Sequence, residues 1–168
     1  MSDILTESSD GILQIQLNRP AQKNAMTSAM YTNLADILNE ADKDDAIRVV
    51  LWHSTGNVFS AGNDVVDFLK NPPRPGAFPQ GDLMEAFVRF EKPIVAAVQG
   101  AAIGGGTTML THCDFVYAVE SAKFQLPFIN LRPGAGVRIE LFDTGARGPS
   151  PSGGIVLARR ALHGRAGS

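Results

Sequence analysis

Apolar residues along the first three quarters of the chain come in short runs separated by helix-like patterns. Residues 12–18 place Ile or Leu at every second or third position, which is typical of a strand, and residues 3–8 are expected to pair with it through a turn at 9–11. Apolar runs that suit buried parallel strands occupy residues 47–52, where Arg48 interrupts the run, and residues 94–98. A third strand is expected at residues 115–119, and a further short strand from Phe124.

Helical patterns lie between these runs. Thr27 is a plausible N-cap for a helix through about Ala41, and shorter helices are expected at residues 64–70, 82–90 and 105–111. Residues 54–62 are expected to form a loop, and residues 71–81, rich in Pro and Gly, a mobile one. Strands that alternate with helices predict an α/β fold.

The composition changes near residue 131. Residues 1–131 carry nine basic and fifteen acidic side chains, a net charge of −6, whereas residues 132–168 carry six Arg and two acids, a net charge of +4. Eight of the 17 glycines fall in that last segment, where only residues 155–162 have a pattern that suits a short helix. We therefore predict a core over residues 1–131 and a poorly ordered Gly/Arg-rich tail over 132–168.

Charge and composition exclude several classes of function. The overall net charge is −2, so the basic surplus of a nucleic-acid binder is missing. A single cysteine, Cys113, excludes a disulfide framework and a multi-cysteine metal site. Residues 94–103 are too short an apolar stretch to span a bilayer, and residues 1–10 contain no basic residue of a signal peptide. The expectation is a cytoplasmic protein with no metal, nucleic-acid or membrane partner.

Two glycine turns, residues 59–64 and 100–108, each follow a predicted strand and precede a predicted helix. Helix starts leave unpaired N–H groups, so two facing starts can hold one oxygen between two donors, as in an oxyanion hole. Plain turn geometry is the simpler interpretation of each turn alone. No Lys-Ser/Thr pair follows the glycines, and they do not match G-x-G-x-x-G with an acidic ribose partner, which disfavours a nucleotide site.

Four motifs in order resemble the enoyl-CoA hydratase/isomerase (crotonase) superfamily over residues 3–131. They are Asn18-Arg19-Pro20 with Asn24-Ala25-Met26, the turn at residues 59–64, residues 92–100 with Gly104-Gly105-Gly106, and Cys113-Asp114 followed by Ala122-Lys123-Phe124. The resemblance implies a repeated ββα spiral that is truncated or altered after about residue 131. It also implies fatty acid metabolism and, for a chain whose C-terminal part is intact, assembly as a homotrimer or hexamer.

The resemblance further implies which residues form the site. The N–H groups of Asn63 and Gly105 would form the oxyanion hole and stabilise the enolate of an acyl-CoA thioester. The other residues implied to line the acyl-CoA site are Lys23, Asn24, Ala25, Met26, Ser60, Ala61, Gly62, Asp64 and Gly104. No separate cofactor is expected, because coenzyme A is part of the substrate.

Side chains at three positions favour the Δ3,Δ2-enoyl-CoA isomerase branch. Hydratases of the family resemble each other in two glutamates, where this chain has Thr108 and Phe128. Hydration needs an acid and a base, so the absence of these two glutamates disfavours a standard hydratase. Together with Asn63 before Asp64, these residues resemble the isomerases, which shuttle one proton with a single glutamate beyond Asn130-Leu131.

At that place the chain reads Arg132-Pro133-Gly134-Ala135-Gly136 and lacks the expected Pro-Glu. Codons for residues 134–140, read one base later, can encode Val-Pro-Glu-Phe-Gly-Ser, which resembles the isomerase segment. We therefore hypothesise a frameshift near residue 131, which the nucleotide sequence would test. Glu140 is expected to be a surface glutamate, and a chain without the base is expected to have impaired activity.

Two alternatives stay open at this point: an enoyl-CoA hydratase-like enzyme, and a non-catalytic acyl-CoA-binding pseudoenzyme. Residues outside the motifs have simpler interpretations. His53 and His112 show no metal or triad spacing, Cys113 is expected to be a buried apolar group, and Trp52 a core residue. Ser60 and Thr107 lack a base partner in the sequence. Asp64 is expected either to cap the following helix or to order the turn.

Overall fold

The structure, a computed structural model, describes residues 2–72, 74 and 76–126 and the backbone of residues 154–158. Six strands form one sheet in the order β1-β2-β3-β5-β7-β9, and three parallel strands form a smaller sheet in the order β4-β6-β8. The strands of the larger sheet are β1 (Ile4–Ser9), β2 (Ile12–Leu17), β3 (Val49–Ser54), β5 (Ile94–Val98), β7 (Phe115–Val119) and β9 (Gly154–Ala158). Those of the smaller sheet are β4 (Val58–Ser60), β6 (Ala101–Ile103) and β8 (Phe124–Gln125).

Successive strand pairs repeat one arrangement. In each of the pairs β3–β4, β5–β6 and β7–β8, the first strand joins the larger sheet and the second joins the smaller one. Within the described residues the α-helices are α1 (Ser28–Lys43), α2 (Val65–Lys70), α3 (Pro79–Arg89) and α4 (Gly105–Leu110), and Pro20–Gln22 form a 3₁₀ helix. Helices follow the first two pairs, so the expected α/β fold with a ββα spiral is confirmed.

Local signals account for the start of α1. Thr27 caps the helix, as expected, because its hydroxyl accepts the Met30 amide. One face of α1 is buried, with Met30, Leu34 and Leu38 in the core. This regular spacing places the apolar side chains on one stripe, which holds α1 against the rest of the fold.

Three differences from the sequence expectations are larger than a shift of two residues at the end of an element. The expected loop at residues 54–62 contains β4, because its short apolar segment pairs with β6. Helix α3 begins at Pro79, before Asp82, since proline fits the first turn of a helix. The prediction of a short helix at residues 155–162 is wrong for residues 155–158, which belong to strand β9. The backbone of β9 pairs antiparallel with β7 and supplies hydrogen bonds to the edge of β7 that β5 does not cover. The rest of the tail lies outside the described residues.

The core joins both sheets and a helix through aromatic contacts. Trp52 of β3 is buried, as expected, and its ring centroid lies 6.1 Å from that of Phe59 on β4 and 5.3 Å from that of Phe87 on α3. These contacts fix the smaller sheet against the larger one. None of the helices in the described part of the chain is long and apolar enough to cross a membrane.

Candidate functional site

The two glycine turns meet because the strands before them are neighbours. Strands β4 and β6 pair in parallel, so their carboxyl ends lie at the same edge of the smaller sheet. The turn at residues 61–64 follows β4, and Gly104 follows β6 and precedes α4, which begins at Gly105. Gly62 (φ +85°) shows how close the turns are: a Cβ added there would lie 2.6 Å from the Ile103 carbonyl oxygen and 3.4 Å from the Gly105 nitrogen.

The segment at residues 23–26 runs along the other side of the first turn. The Ala61 amide donates to the Lys23 carbonyl (2.9 Å), the Met26 amide donates to the Gly62 carbonyl (2.7 Å), and the Asp64 amide donates to the Met26 carbonyl (2.8 Å). Three main-chain hydrogen bonds therefore hold two of the predicted site segments together.

This pairing sets the direction of the Asn63 amide. Met26 and Asn63 form a parallel bridge in which the groups on either side of Asn63 bond to Met26. In a parallel bridge the N–H and C=O of the central residue face away from the partner segment, so the Asn63 amide points away from Met26. Gly105 is the first residue of α4, and its amide has no carbonyl one turn earlier in the helix to accept it.

The aspartate of the first turn has both roles that the sequence left open. The Asp64 carboxylate accepts the amides of Val66 and Asp67 and so caps α2. It also lies 3.2 Å from the Arg19 guanidinium, which in turn donates to the Ala25 carbonyl. Asp64 thus starts the helix and connects the turn to the segment at residues 23–26.

Both acidic residues next to the turn are held in their charged form. The Asp67 amide lowers the pKa of Asp64 most; burial opposes it, and Arg19 and the Val66 amide lower the pKa further, so that it lies below 3.8. The pKa of Asp67 is lowered in the same direction, first by the Ser28 amide, which donates to it at 2.7 Å. A carboxylate with a lowered pKa is a weak base, so neither group is suited to remove a carbon-bound proton.

This lowered pKa gives a pH prediction. A carboxyl group with a lower pKa in the folded state stabilises that state above its unfolded pKa, and the contribution is lost as the pH falls through the folded value. The free energy of unfolding should therefore fall as the pH is lowered below about 4, and this fall should be shallower in Asp64→Asn. Urea titrations across this range measure it. Asp36→Asn, at an exposed position of α1, is the control and should keep the full slope.

Several of the predicted lining residues lie beneath the surface of the site. Asn24 and Ser60 are fully buried, and Met26 is 1% exposed. The Asn24 side chain donates to the carbonyls of Thr55 and Val58, both at 2.8 Å, and accepts the Arg19 amide at 2.9 Å. The Ser60 hydroxyl donates to the Asn24 carbonyl and accepts the Gly62 amide. Their side chains support the turns from inside, whereas Lys23 is exposed and Ala25, Ala61, Asn63 and Asp64 are half-buried.

Sequence reasoning missed two residues that organise this edge. Tyr31 of α1 is buried and donates its hydroxyl to the Asn63 side-chain oxygen at 2.6 Å. Asp67 accepts both the amide and the hydroxyl of Ser28, which connects α2 to the start of α1. Tyr31 lies on the apolar stripe of α1, and a polar group at a buried position needs a hydrogen-bond partner. The sequence therefore contained a sign that the Tyr31 hydroxyl bonds to another residue.

The residues to which the sequence analysis gave no role in the site pack or form hydrogen bonds within the fold. Cys113 is 1% exposed, as expected, and burial raises the pKa of its thiol to about 12. The Thr107 hydroxyl donates to the carbonyls of Ala102 and Gln125, and the His112 ring stacks on Phe87. Among the residues that the structure describes, no three His, Cys, Asp or Glu side chains are grouped to hold a metal.

Comparison with known proteins places this geometry in a family. Residues 7–142 match the family described as enoyl-CoA hydratase/isomerase. The chain is 37% identical over 135 residues to human enoyl-CoA delta isomerase 2, which covers 76% of this chain and 34% of the relative. It is 34% identical over 145 residues to 2,3-dehydroadipyl-CoA hydratase of Escherichia coli, with 81% and 54% covered.

Solved structures agree with this result. The structure of Pseudomonas aeruginosa OdaA superposes with a TM-score of 0.73 at 44% identity and covers 78% of this chain and 53% of its own. The chain thus spans about a third to a half of the length of these relatives. Sequence similarity and structural similarity both place the chain in the enoyl-CoA hydratase/isomerase family.

Proposed function

We propose that the chain binds an acyl-CoA thioester and stabilises its enolate with the main-chain amides of Asn63 and Gly105. The observation that carries the proposal is the juxtaposition of their two turns at one sheet edge, with Gly62 placed against Ile103 and Gly105. One amide points away from Met26 and the other begins a helix, so both are suited to donate to one thioester oxygen.

The reaction that this arrangement supports is a shift of a double bond. Removal of a proton from the α carbon of a 3-enoyl thioester moves its electron pair towards the carbonyl oxygen, where two N–H donors stabilise the negative charge. Return of a proton to the γ carbon then gives the conjugated 2-enoyl thioester. The isomerase name of the human relative and the Asn63-Asp64 pair of this chain support the isomerase branch.

Among the described residues near the site, no side chain is suited to act as the catalytic base of this reaction. Asp64 and Asp67 have lowered pKa values, and Thr108 uses its hydroxyl to donate to the Gly104 carbonyl. Glu140 and the hypothesised frameshift lie outside the described residues. We therefore propose that this chain binds the thioester and turns it over slowly, because loss of a positioned base typically costs about 10² to 10⁴ in rate.

Binding and turnover of a 3-enoyl-CoA test this proposal separately. Calorimetric titration should show binding, and the absorbance of the conjugated 2-enoyl product should rise only slowly. Turnover equal to that of the human relative would contradict the impairment, and absence of binding would contradict the acyl-CoA site. Binding without any isomerisation or hydration would instead select the pseudoenzyme. Assembly as a homotrimer or hexamer and a cytoplasmic location stay predictions from the sequence.

A further inference from the structure

One buried hydroxyl contacts the residues of both turns. Tyr31 is 2% exposed, and its hydroxyl oxygen lies 2.6 Å from the side-chain oxygen of Asn63. The same hydroxyl lies over the Cα of Gly105, since a Cβ added there would be 2.7 Å from it and 3.4 Å from the Asn63 side-chain oxygen. Tyr31 belongs to α1, so a third element joins the edge formed by β4 and β6.

Packing alone does not require this hydroxyl. A phenylalanine ring would fill nearly the same volume, and a buried hydroxyl carries a desolvation cost unless it is hydrogen-bonded. Burial raises the pKa of Tyr31 to about 12, so the group stays a protonated donor at every physiological pH. A hydroxyl that is always a donor and bonds to one side chain is suited to hold that side chain in place.

Asn63 is held from several directions as a result. Its neighbours Gly62 and Asp64 bond to Met26 through the main chain, and its side chain bonds to Tyr31. A donor works best when its direction is fixed before the charge develops, because no reorganisation is then needed during the reaction. The same hydroxyl lies where a Cβ of residue 105 would clash, so the second turn can stand beside it because residue 105 is glycine.

We propose that Tyr31 is a positioning residue whose hydroxyl, bonded to Asn63 and placed where a Cβ of residue 105 would stand, sets the separation of the two amide donors. This inference rests on the proposed acyl-CoA site and adds to it a residue that does not touch the substrate. If the hydroxyl only stabilises the fold, its removal lowers stability and leaves the polarisation of a bound thioester unchanged.

A conjugated thioester reports on that polarisation. The absorption of cinnamoyl-CoA moves to longer wavelength when hydrogen bonds polarise its carbonyl group, so the shift on binding measures the two donors and not affinity alone. Tyr31→Phe should bind the probe with an affinity within about tenfold of the unmodified chain, because the lost bond lies within the protein. The shift to longer wavelength should be clearly smaller.

The other tyrosine of the chain is the matched control. Tyr117 is 46% exposed on β7, and Tyr117→Phe should leave both the affinity and the shift unchanged. A full shift in Tyr31→Phe would overturn the inference while leaving the acyl-CoA site intact. No binding, or binding without a shift, in the unmodified chain would instead contradict the proposed function on which the inference rests.

A second variant removes the same hydrogen bond from its other end. Asn63→Ala keeps the main-chain amide and loses the side-chain acceptor, so it should reduce the shift as Tyr31→Phe does. In the double variant the two effects should not add, because both act through one bond. A full shift in Asn63→Ala overturns the inference even where Tyr31→Phe fails to fold.

Discussion

Gly62→Ala should abolish the shift in the absorption of bound cinnamoyl-CoA and should lower any isomerase rate by about 10²-fold. The added Cβ would lie 2.6 Å from the Ile103 carbonyl oxygen, a distance at which one of the two turns must move. The moving part carries either the Asn63 or the Gly105 amide, so the two donors no longer converge. Absorption titration of the probe and the isomerase assay measure the two effects.

Gly76→Ala separates this steric effect from backbone strain. Gly76 has a φ of +78°, close to the +85° of Gly62, and a Cβ added there meets no atom within 4 Å. Both variants therefore carry the cost of a left-handed alanine, about 1–2 kcal/mol, and only Gly62→Ala carries the clash. An unchanged shift in Gly62→Ala, or an equal loss in both variants, would contradict the convergence of the two turns.

Asn24→Asp should lower the free energy of unfolding by roughly 3 kcal/mol or more at neutral pH. The replacement keeps the shape of the side chain and its bond from the Arg19 amide, but it removes the two N–H donors. The carbonyls of Thr55 and Val58 then lose their partner and face a carboxylate in a site that is fully buried. Denaturant unfolding followed by the fluorescence of Trp52, the only tryptophan, measures the loss.

The same chemical change at the surface is the control for Asn24. Asn39 is exposed on α1, where Asn39→Asp should change the free energy of unfolding by less than about 0.5 kcal/mol. Asn24 has a left-handed φ of +53°, which asparagine tolerates better than most residues. A small effect of Asn24→Asp would show that the segment at residues 23–26 is held mainly by its main-chain bonds to the turn at residues 61–64.

Much of the fold follows from local patterns in the sequence. The apolar runs before Trp52, at residues 94–98 and at residues 115–119 became strands of the larger sheet, and alternate side chains of each strand are buried in the core. Thr27 capped its helix because the Thr hydroxyl meets a free amide wherever a helix starts. The two glycine turns were identified by composition and by resemblance alone.

Local sequence patterns do not predict which distant segments of the chain pair with each other. The sequence contained no sign that β4 exists, because three residues form a strand only when a neighbour such as β6 supplies the hydrogen bonds. The role of Tyr31 was missed for the same reason, since its partner Asn63 is 32 residues away in the chain. Asn24 and Ser60 were expected to line the site. The folded chain buries both, so their side chains support the turns from beneath the surface of the site.

By itself, the sequence determined the α/β class, the family and the two turns, because these depend on residue type and on short-range spacing. Only the tertiary structure decided that the turns meet at one sheet edge, that Asp64 both caps a helix and binds Arg19, and that a hydroxyl from α1 contacts both turns. Those relations join residues that are tens of positions apart. They arise when packing of the two sheets and α1 brings separate segments within hydrogen-bonding distance.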